Sequence, residues 1–473
     1  MSDPREPSRR SLREAEATSS RSPRRRRAEA PDASVAPGTP PVGGARHGRS
    51  RRGRTVGTVG RVVAASLAVL LVSGASLGAI AAWQVRSDLG DGVELQASQG
   101  KTAEAAPPSI GEYEGGFNIL VVGTDNDASQ DVGAFGQRDA TLNDVNILLH
   151  VSEDHTNATA VSIPRDMVVP IPACAKEDGS GYHSAMAARP INEAWSYGGL
   201  SCVASTVSEL TGLDVPFAGM ISFDGVIEMS NAVGGVPVCA ATPIRDRYTG
   251  LDIPAGESVL SGADALAFLR TRHGVGDGSD LGRISSQQVY LSSLLRTMKS
   301  ADTLSNPTRL YSLARAAASN MQLSSNLTNL DTMVQIGLAL RDLPLESVNF
   351  VQYPGTTEGY GVYAGKVQPD EVVATQLFDA IREDRPFTLA EGSTGLGAEL
   401  ASPGEGEGDG AGAGEAPSTE TPEAPASEAP AAPDASAEPT GPATPDAVTP
   451  PEVITGLEGQ TAADQTCSTA FGS

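Results

Sequence analysis

A short segment rich in arginine contains the residues best suited to chemistry. The stretch "LAFLRTRHGVGDGSDLGRISSQQ" includes Arg270 and Arg272, which are two residues apart. Two helical residues at that spacing point about 200° apart, whereas in extended chain they point to the same side. We therefore expect a helix to end near Leu269, so that both guanidinium groups face one ligand.

The second half of this segment adds two further polar side chains. Arg283 should lie near the start of the next helix, and Gln287 follows one turn later on the same face. Arginine at a helix N-terminus is unfavourable for the macrodipole unless an anion binds there. The segment thus predicts a pocket for a ligand with more than one phosphate. Surface ion pairs with Asp277 and Asp280 are the alternative interpretation.

Charged residues also follow or precede the predicted strands. "SIPRD" places Arg165 and Asp166 directly after a strand, where α/β proteins position ligand-binding groups. Asp125 comes just after the first strand and Asp144 at the start of the second, so antiparallel pairing would bring these carboxylates together. Carboxylates beside a phosphate ligand predict bound Mg²⁺.

The elements that would position these residues alternate between residues 115 and 387. The runs "FNILVVG", "VNILLHVS" and "ATAVSIP" are almost continuously apolar, as in strands covered on both faces. Helical runs follow them along the chain; one begins with Ser261 and has Asp264 three residues on, a capping-box pattern. This alternation predicts an α/β fold, an α-β-α sandwich with a central mixed sheet.

The region before this domain predicts a membrane anchor. Residues 1–61 hold 15 arginines and 6 acidic residues, a net charge of +9, and are predicted to be an arginine-rich disordered leader. The rest of the chain therefore has a net charge of −33, which gives −24 for the whole chain. Residues 62–84 include 22 uncharged residues in a row, enough for one transmembrane helix. Flanking arginine places the N-terminus in the cytoplasm and the domain outside the cell membrane. A cleavable signal peptide is the alternative, and membrane lipid explains the leader better than nucleic acid does.

The remaining segments are a linker and a tail. Residues 85–114 are expected to be a polar linker. Residues 388–450 are rich in Ala, Pro and Glu and predict a disordered tail, and residues 451–473 form a separate C-terminal segment with Cys467. Four cysteines outside the membrane predict two disulfides with three possible connectivities. Cys174 and Cys202 flank one loop-helix unit, so we pair them, which leaves Cys239 for Cys467.

Seven motifs in order resemble the LytR-CpsA-Psr family of cell-wall glycopolymer ligases. They are "GTD", "NDVNILLH", "SIPRD", "INEAWSYGG", "AVGGVPV", "LSGADALAFLRTR" and "DLGRISSQQ", and they extend from about Phe117 to Met298. The resemblance implies a phosphotransferase that moves a glycopolymer from a polyprenyl-pyrophosphate carrier onto peptidoglycan, with Mg²⁺ or another divalent cation as cofactor.

The resemblance also implies roles for individual residues. Asp125 and Asp144 would hold the metal, although "QRDATLND" makes Asp139 a competitor of Asp144. Asp166 would be a weaker candidate for taking the proton from the acceptor. The pyrophosphate would be bound by Arg165, Arg270, Arg272, Arg283 and Gln287. The four arginines among them would also be catalytic. A non-catalytic envelope protein that binds lipid-linked polymer, and a polyprenyl-pyrophosphate pyrophosphatase, are the alternative functions.

Overall fold

The computed structural model describes residues 61, 63–69, 72–73, 76, 92–96, 113–124, 141–299, 317, 319–401 and 451–472. The chain divides into two compact units, Met1–Val72 and Ser73–Ser473. In the first unit residues 63–69 are helical. Among the described residues, no helix has the length and apolar composition needed to cross a bilayer. Most of the predicted anchor at 62–84 lies outside the described residues.

A seven-stranded mixed sheet forms the centre of the second unit. Its strand order is β11-β6-β1-β2-β3-β12-β18. β1 pairs with β2 and β2 with β3 in antiparallel fashion, whereas β1 with β6 and β3 with β12 are parallel. The strands are β1 (Phe117–Thr124), β2 (Asn143–Val151), β3 (Ala158–Ile163), β6 (Phe217–Ile221), β11 (Met321–Leu323), β12 (Val348–Gln352) and β18 (Gly459–Thr461).

Helices cover both faces of this sheet, because alternate strand residues point to opposite faces. Leu120 and Val122 of β1 join the cluster formed with helices α1 and α6, and Phe117 joins the cluster formed with α4 and α5. The helices are α1 (Ala194–Thr211), α2 (Phe223–Val233), α3 (Gly262–Arg270), α4 (Asp280–Lys299), α5 (Leu330–Arg341) and α6 (Glu371–Arg382). The predicted α-β-α sandwich with a mixed sheet is confirmed.

A second sheet of four strands lies on the other side of α4, in the order β10-β7-β19-β16. Its strands are β7 (Val236–Ala240), β10 (Gly256–Leu260), β16 (Ala398–Leu400) and β19 (Thr466–Ser468). The short remaining strands are β4 (Val168–Ile171), β5 (Met186–Pro190), β8 (Ile244–Asp246), β9 (Leu251–Ile253), β13 (Gly355–Thr356), β14 (Gln368–Pro369), β15 (Phe387–Leu389) and β17 (Glu452–Ile454).

Both predicted disulfides are present. Cys174 bonds to Cys202 across 28 residues, and Cys239 bonds to Cys467 across 228 residues. Cys239 and Cys467 are register partners of the parallel strands β7 and β19. The second disulfide therefore joins the C-terminal segment to the domain.

Two predicted boundaries are wrong. The predicted linker at 85–114 already packs on the domain: Val93 bridges Ser324, and the Gln96 amide donates to Ser201 Oγ at 2.7 Å. The predicted tail begins too early, because β15 and β16 extend the ordered chain to residue 401. Short strands with one buried side chain lack the apolar periodicity on which a sequence prediction depends. Residues 402–450 lie outside the described residues.

Two local features of the helices also differ from expectation. Ser261 stands at the N-cap of α3, but its side chain makes no capping hydrogen bond, so the predicted capping box is wrong. The helical runs around "SYGG" form one helix interrupted at Gly198 and Gly199, and Gly199 has a φ of 58° that favours glycine.

Candidate active site

A cavity of about 640 Å³ lies between the central sheet and helices α2, α3 and α4. One part of its wall is apolar. Burial raises the pKa of Tyr290, at this wall, to about 12, so its hydroxyl stays neutral. The apolar lining includes Val121, Ile147, Phe223, Val226, Leu266, Leu291, Leu294, Met298 and Met321.

The other part of the wall is strongly charged. Four arginines and two aspartates line the cavity, which leaves an excess of two positive charges: Arg165, Arg270, Arg272, Arg283, Asp144 and Asp246. The cavity thus combines a cationic region with an apolar slot. A second cavity, of about 790 Å³, lies at the opposite end of β1 and β2, near His150 and Asp384, and contains none of the predicted residues.

The local chain path explains how Arg270 and Arg272 reach the same cavity. α3 ends at Arg270, and Thr271 adopts an extended conformation with φ −61° and ψ 136°. The helix therefore ends one residue beyond the predicted Leu269, and the extended residue lets both guanidinium groups line the cavity. The Arg270 guanidinium lies 4.2 Å from the centre of the Phe223 ring. A cation above an aromatic face is attracted to the ring.

Arg283 lies in the first turn of α4 and is 4% exposed. Its Nη2 lies 2.6 Å from Asp280 Oδ1 and donates to the Asp144 carbonyl at 3.0 Å. Burial lowers the pKa of Arg283, and the neighbouring Arg165 and Arg272 lower it further against the opposing effect of Asp280. Asp280 also offsets the unfavourable position of Arg283 at a helix N-terminus. The ion pair is therefore buried, unlike the surface pair of the alternative interpretation.

Arg165 stands at the carboxyl end of β3 among three carboxylates. Its Nη1 donates to Asp144 Oδ1 at 2.5 Å, and its backbone amide donates to Asp280 Oδ2 at 3.0 Å. Burial alone would lower the pKa of Arg165, but Asp144 and Asp280 raise it above its ordinary value. Arg165 thus remains charged and fixed in orientation.

Three guanidinium groups in the cavity carry unused hydrogen-bond donors. The buried Nε–H groups of Arg165, Arg272 and Arg283 have no acceptor among the described residues. A buried donor without a partner costs about 1–3 kcal/mol, so such groups are rare unless a ligand completes them. Anionic phosphate oxygens are strong acceptors for these groups.

The cavity offers few carboxylates to a divalent cation. No group of three His, Cys, Asp or Glu side chains in the described part of the chain is arranged to hold a metal. Mg²⁺ usually needs only one or two carboxylates, because water and substrate phosphates complete its coordination. Asp144 lines the cavity with its second oxygen outside the contact to Arg165. This donor set fits a cation that binds together with a phosphate ligand. Asp125 and Asp139 lie outside the described residues.

Two predicted residues make contacts that the sequence did not indicate. Asp166 is paired with Lys366 at 2.8 Å and is not among the residues that line the cavity. Burial would raise the pKa of Asp166, but Lys366 and Arg165 hold it below its ordinary value, which makes Asp166 a weak base. Gln287 lines the cavity, and its Nε2 donates to the Leu269 carbonyl at 2.7 Å, joining α4 to the end of α3.

Sequence reasoning missed three residues of the site. Asp280 was considered only as a surface partner, although its place in the first turn three residues before Arg283 was a signal for a buried pair. Asp246 and Tyr248 were missed because the strands of the hairpin that carries them have three residues each, too few for a reliable periodicity signal. They join the arginines only through the tertiary fold.

Comparison with known proteins identifies the family. The sequence model of the LytR_cpsA_psr family matches residues 86–379. The chain belongs to the LytR_cpsA_psr family. The matched region contains the four arginines of the cavity and ends before the C-terminal strands β15 to β19.

The chain is similar to two named proteins and to one protein of solved structure. The cell wall biosynthesis protein LcpA of Corynebacterium glutamicum is 28% identical over 349 residues, which are 68% of this chain and 65% of LcpA. TagT of Bacillus subtilis, named a polyisoprenyl-teichoic acid–peptidoglycan teichoic acid transferase, is 26% identical over 66% of this chain and 90% of TagT. A solved LytR-Csp2A-Psr enzyme from Actinomyces oris has 21% identity, covers 61% of this chain and 94% of that chain, and has a TM-score of 0.45. The chain thus spans slightly less than two thirds of LcpA.

Proposed function

We propose that the protein is a phosphotransferase that moves a glycopolymer from a polyprenyl-pyrophosphate carrier onto peptidoglycan. The observation that carries this proposal is the cluster of four arginines beside an apolar slot in one cavity. A pyrophosphate linked to a prenyl chain has matching chemistry, since two negative charges adjoin a hydrocarbon. The names of family relatives, among them a teichoic acid transferase, support the same class of reaction.

The size of the cavity supports a lipid-linked ligand. Its volume of about 640 Å³ lies within the range of about 300–1,000 Å³ that is usual for small-molecule sites. α4 orients the ligand, because Arg283 and Gln287 lie near its start and Leu291, Leu294 and Met298 follow along the same cavity. The pyrophosphate would bind at the start of α4 and the first prenyl units along its later turns.

The reaction would be a phosphoryl transfer. The oxygen of an acceptor hydroxyl forms a bond to the phosphorus that carries the sugar, and the bond from that phosphorus to the bridging oxygen breaks. Polyprenyl phosphate leaves with the electron pair, and the hydroxyl proton passes to solvent.

The arginines would stabilise the charge that develops on the leaving phosphate. Charge-assisted hydrogen bonds contribute about 1.5–3 kcal/mol each, so three or four of them can supply much of the transition-state stabilisation. They are already fixed before the substrate binds, since Asp144 and Asp280 hold Arg165 and Arg283 in place. Little reorganisation is then needed during the reaction.

A divalent cation is part of this proposal. Asp144 would hold Mg²⁺ together with the phosphates, and Asp125 is the second proposed ligand. When bound, the cation would neutralise charge on the pyrophosphate oxygens. Dialysis against a chelator should lower transfer, and added Mg²⁺ should restore it.

We also propose that the domain acts outside the cell membrane, anchored by residues 62–84. The arginine-rich leader would remain in the cytoplasm, which fits the distribution of charge along the sequence. A phosphatase reporter fused after residue 96 should be active only if the domain is exported. Activity of a cytoplasmic reporter at the same position would contradict this orientation.

A transfer assay tests the proposed reaction. Full-length protein in detergent would be mixed with a polyprenyl-pyrophosphate-linked glycan and peptidoglycan. We expect glycan bound covalently to peptidoglycan and polyprenyl phosphate in equal amounts. Release of polyprenyl phosphate without linkage to the acceptor would favour a pyrophosphatase. Tight binding of the donor without turnover would favour a non-catalytic carrier protein.

A further inference from the structure

A hairpin at the cavity holds an exposed aromatic ring in a fixed position. β8 and β9 form this hairpin, and its turn carries Arg247, Tyr248 and Thr249. Tyr248 is 66% exposed, yet it lines the same cavity as the arginines, together with Thr249 and His273. Tyr248 therefore offers ring surface both to solvent and to a ligand in the cavity.

Neighbouring side chains restrict this ring. The centre of the His273 ring lies 4.7 Å from that of Tyr248, and the Arg247 guanidinium lies 4.8 Å from the Tyr248 ring centre. Arg247 Nη2 also donates to the Tyr248 hydroxyl at 2.7 Å. The ring thus loses little further conformational freedom when a ligand binds it, which favours affinity.

A buried carboxylate fixes the hairpin against the arginine segment. Asp246 is 3% exposed; its Oδ1 accepts from the Tyr248 amide at 2.9 Å, and its Oδ2 accepts from the Thr271 hydroxyl at 2.6 Å. Thr271 stands between Arg270 and Arg272. One side chain therefore sets the position of the aromatic ring relative to two cationic groups of the cavity.

We propose that Tyr248, with Arg247 and His273, binds the sugar ring that is joined directly to the donor pyrophosphate. This inference rests on the proposed function. If the apolar slot binds the prenyl chain and the arginines bind the phosphates, the next group along the donor is its first sugar. The position of Tyr248 beside the segment of Arg270 and Arg272 places an aromatic ring where that sugar would lie.

The chemistry of the three side chains matches a pyranose ring. The C–H groups on one face of a pyranose are apolar and weakly positive, so they pack on the negative face of an aromatic ring. Arg247 supplies donors for hydroxyl or acetamido oxygens at the ring edge. A hydrocarbon chain would use the aromatic face but could form no hydrogen bond with Arg247. The cluster would thus discriminate among donors by their first sugar.

Two soluble probes separate sugar binding from pyrophosphate binding. Full-length protein in detergent would be titrated with farnesyl pyrophosphate, and with farnesyl pyrophosphate that carries N-acetylglucosamine on its terminal phosphate. The wild type should bind the sugar-bearing probe more tightly. Tyr248→Ala should weaken that binding by about five- to twentyfold and change the affinity for farnesyl pyrophosphate by less than twofold, while Tyr248→Phe should retain most of the preference.

A matched control and four contrary outcomes define the test. Tyr182 is similarly exposed, at 65%, but lies outside the cavity, so Tyr182→Ala should leave both affinities unchanged. Equal losses for both probes in Tyr248→Ala would overturn the inference, as would a wild type without preference for the sugar. If Tyr248→Ala raised the KM for the acceptor alone in the transfer assay, Tyr248 would bind the acceptor and not the donor sugar. Failure of the wild type to bind farnesyl pyrophosphate would refute the proposed function itself, and the inference with it.

Discussion

At the residue scale, the cavity arginines differ in how much stability they contribute. Arg283 is buried in an ion pair with Asp280, whereas Arg272 is half-buried and its Nε has no acceptor among the described residues. Clustered positive charges alone would predict that alanine at either position leaves stability unchanged or improved. Because Arg283 forms a buried ion pair, its replacement by alanine should lower stability, whereas replacement of Arg272 should not.

Arg272 provides a test of function with little structural effect. Arg272→Ala should reduce transfer ten- to a hundredfold or more, because it removes a contact that strengthens as charge develops on the leaving phosphate. The melting temperature of Arg272→Ala should remain close to that of the wild type. Arg272→Lys should restore little activity, since an ammonium group cannot replace the guanidinium fork. Arg245→Ala is the control, because Arg245 is exposed and pairs with the exposed Asp252. Normal turnover in Arg272→Ala would remove Arg272 from the site.

Arg283→Ala should lower both activity and stability. Removal of the Arg283 guanidinium leaves the Asp280 carboxylate buried without its nearest positive charge, and the loss of one partner of a buried ion pair typically costs about 3–5 kcal/mol. Adding Asp280→Asn should recover part of the free energy of unfolding and none of the transfer activity. Chemical denaturation of the two single variants and the double variant measures this coupling. Equal stability of Arg283→Ala and the wild type would show that the ion pair does not stabilise the fold.

Asp246 should make stability depend on pH. Burial alone would raise its pKa, but hydrogen bonds from the Thr271 hydroxyl and from the amides of Tyr248 and Arg272 hold it below its ordinary value. Its contribution is therefore present above the unfolded pKa of about 4 and is lost as pH falls through the folded pKa. Asp246→Asn should melt at a lower temperature at pH 7, and the difference should shrink towards pH 3. A constant difference would show that ionisation of Asp246 is not involved.

At the element scale, strongly patterned segments were predictable and weakly patterned ones were not. β1, β2 and β3 were found because each contains a run of consecutive apolar residues, and α3 was found to end close to Leu269. The C-terminal strands were missed because each has three residues and pairs with strands far away in sequence. Local propensity carries no information about such distant partners.

The missed C-terminal segment supports the helix that carries Arg283. Gln460 of β18 donates to the Gln288 carbonyl of α4 at 3.1 Å and to Ser292 Oγ at 2.8 Å. Further along α4, Arg296 donates to the carbonyl of Ala462 at 2.7 Å. The segment after residue 450 is therefore part of the framework of the site, even though it lies beyond the region matched by the family.

The disulfide at this segment should contribute to stability. Cys239→Ser combined with Cys467→Ser should lower the free energy of unfolding by about 2–5 kcal/mol, because the bond closes a loop of 228 residues in the unfolded chain. The disulfide between Cys174 and Cys202 closes a loop of only 28 residues. Its removal should therefore lower the free energy of unfolding by less, because a shorter loop restricts the unfolded chain less. Urea denaturation of the two double-serine variants provides the comparison. A larger loss for Cys174 and Cys202 would show that local packing outweighs loop length.

At the scale of the whole molecule, the proposed function requires a membrane anchor followed by a domain that binds a lipid-linked substrate. The leader and anchor were inferred from charge and hydropathy, and they fall mostly outside the described residues. A cavity with an apolar slot suits a ligand whose prenyl chain is shared with the membrane. The proposed function therefore predicts that this cavity binds polyprenyl pyrophosphate.

The lipid that copurifies with full-length protein from its native membrane tests this claim most directly. Mass spectrometry of the wild type should detect polyprenyl pyrophosphate, with or without its glycan, at a level comparable to the protein. Arg272→Ala should lose most of this lipid, and Arg245→Ala should retain it, because only the first lies in the cavity. Equal amounts of the lipid in all three proteins, or only bulk phospholipid in the wild type, would contradict the account.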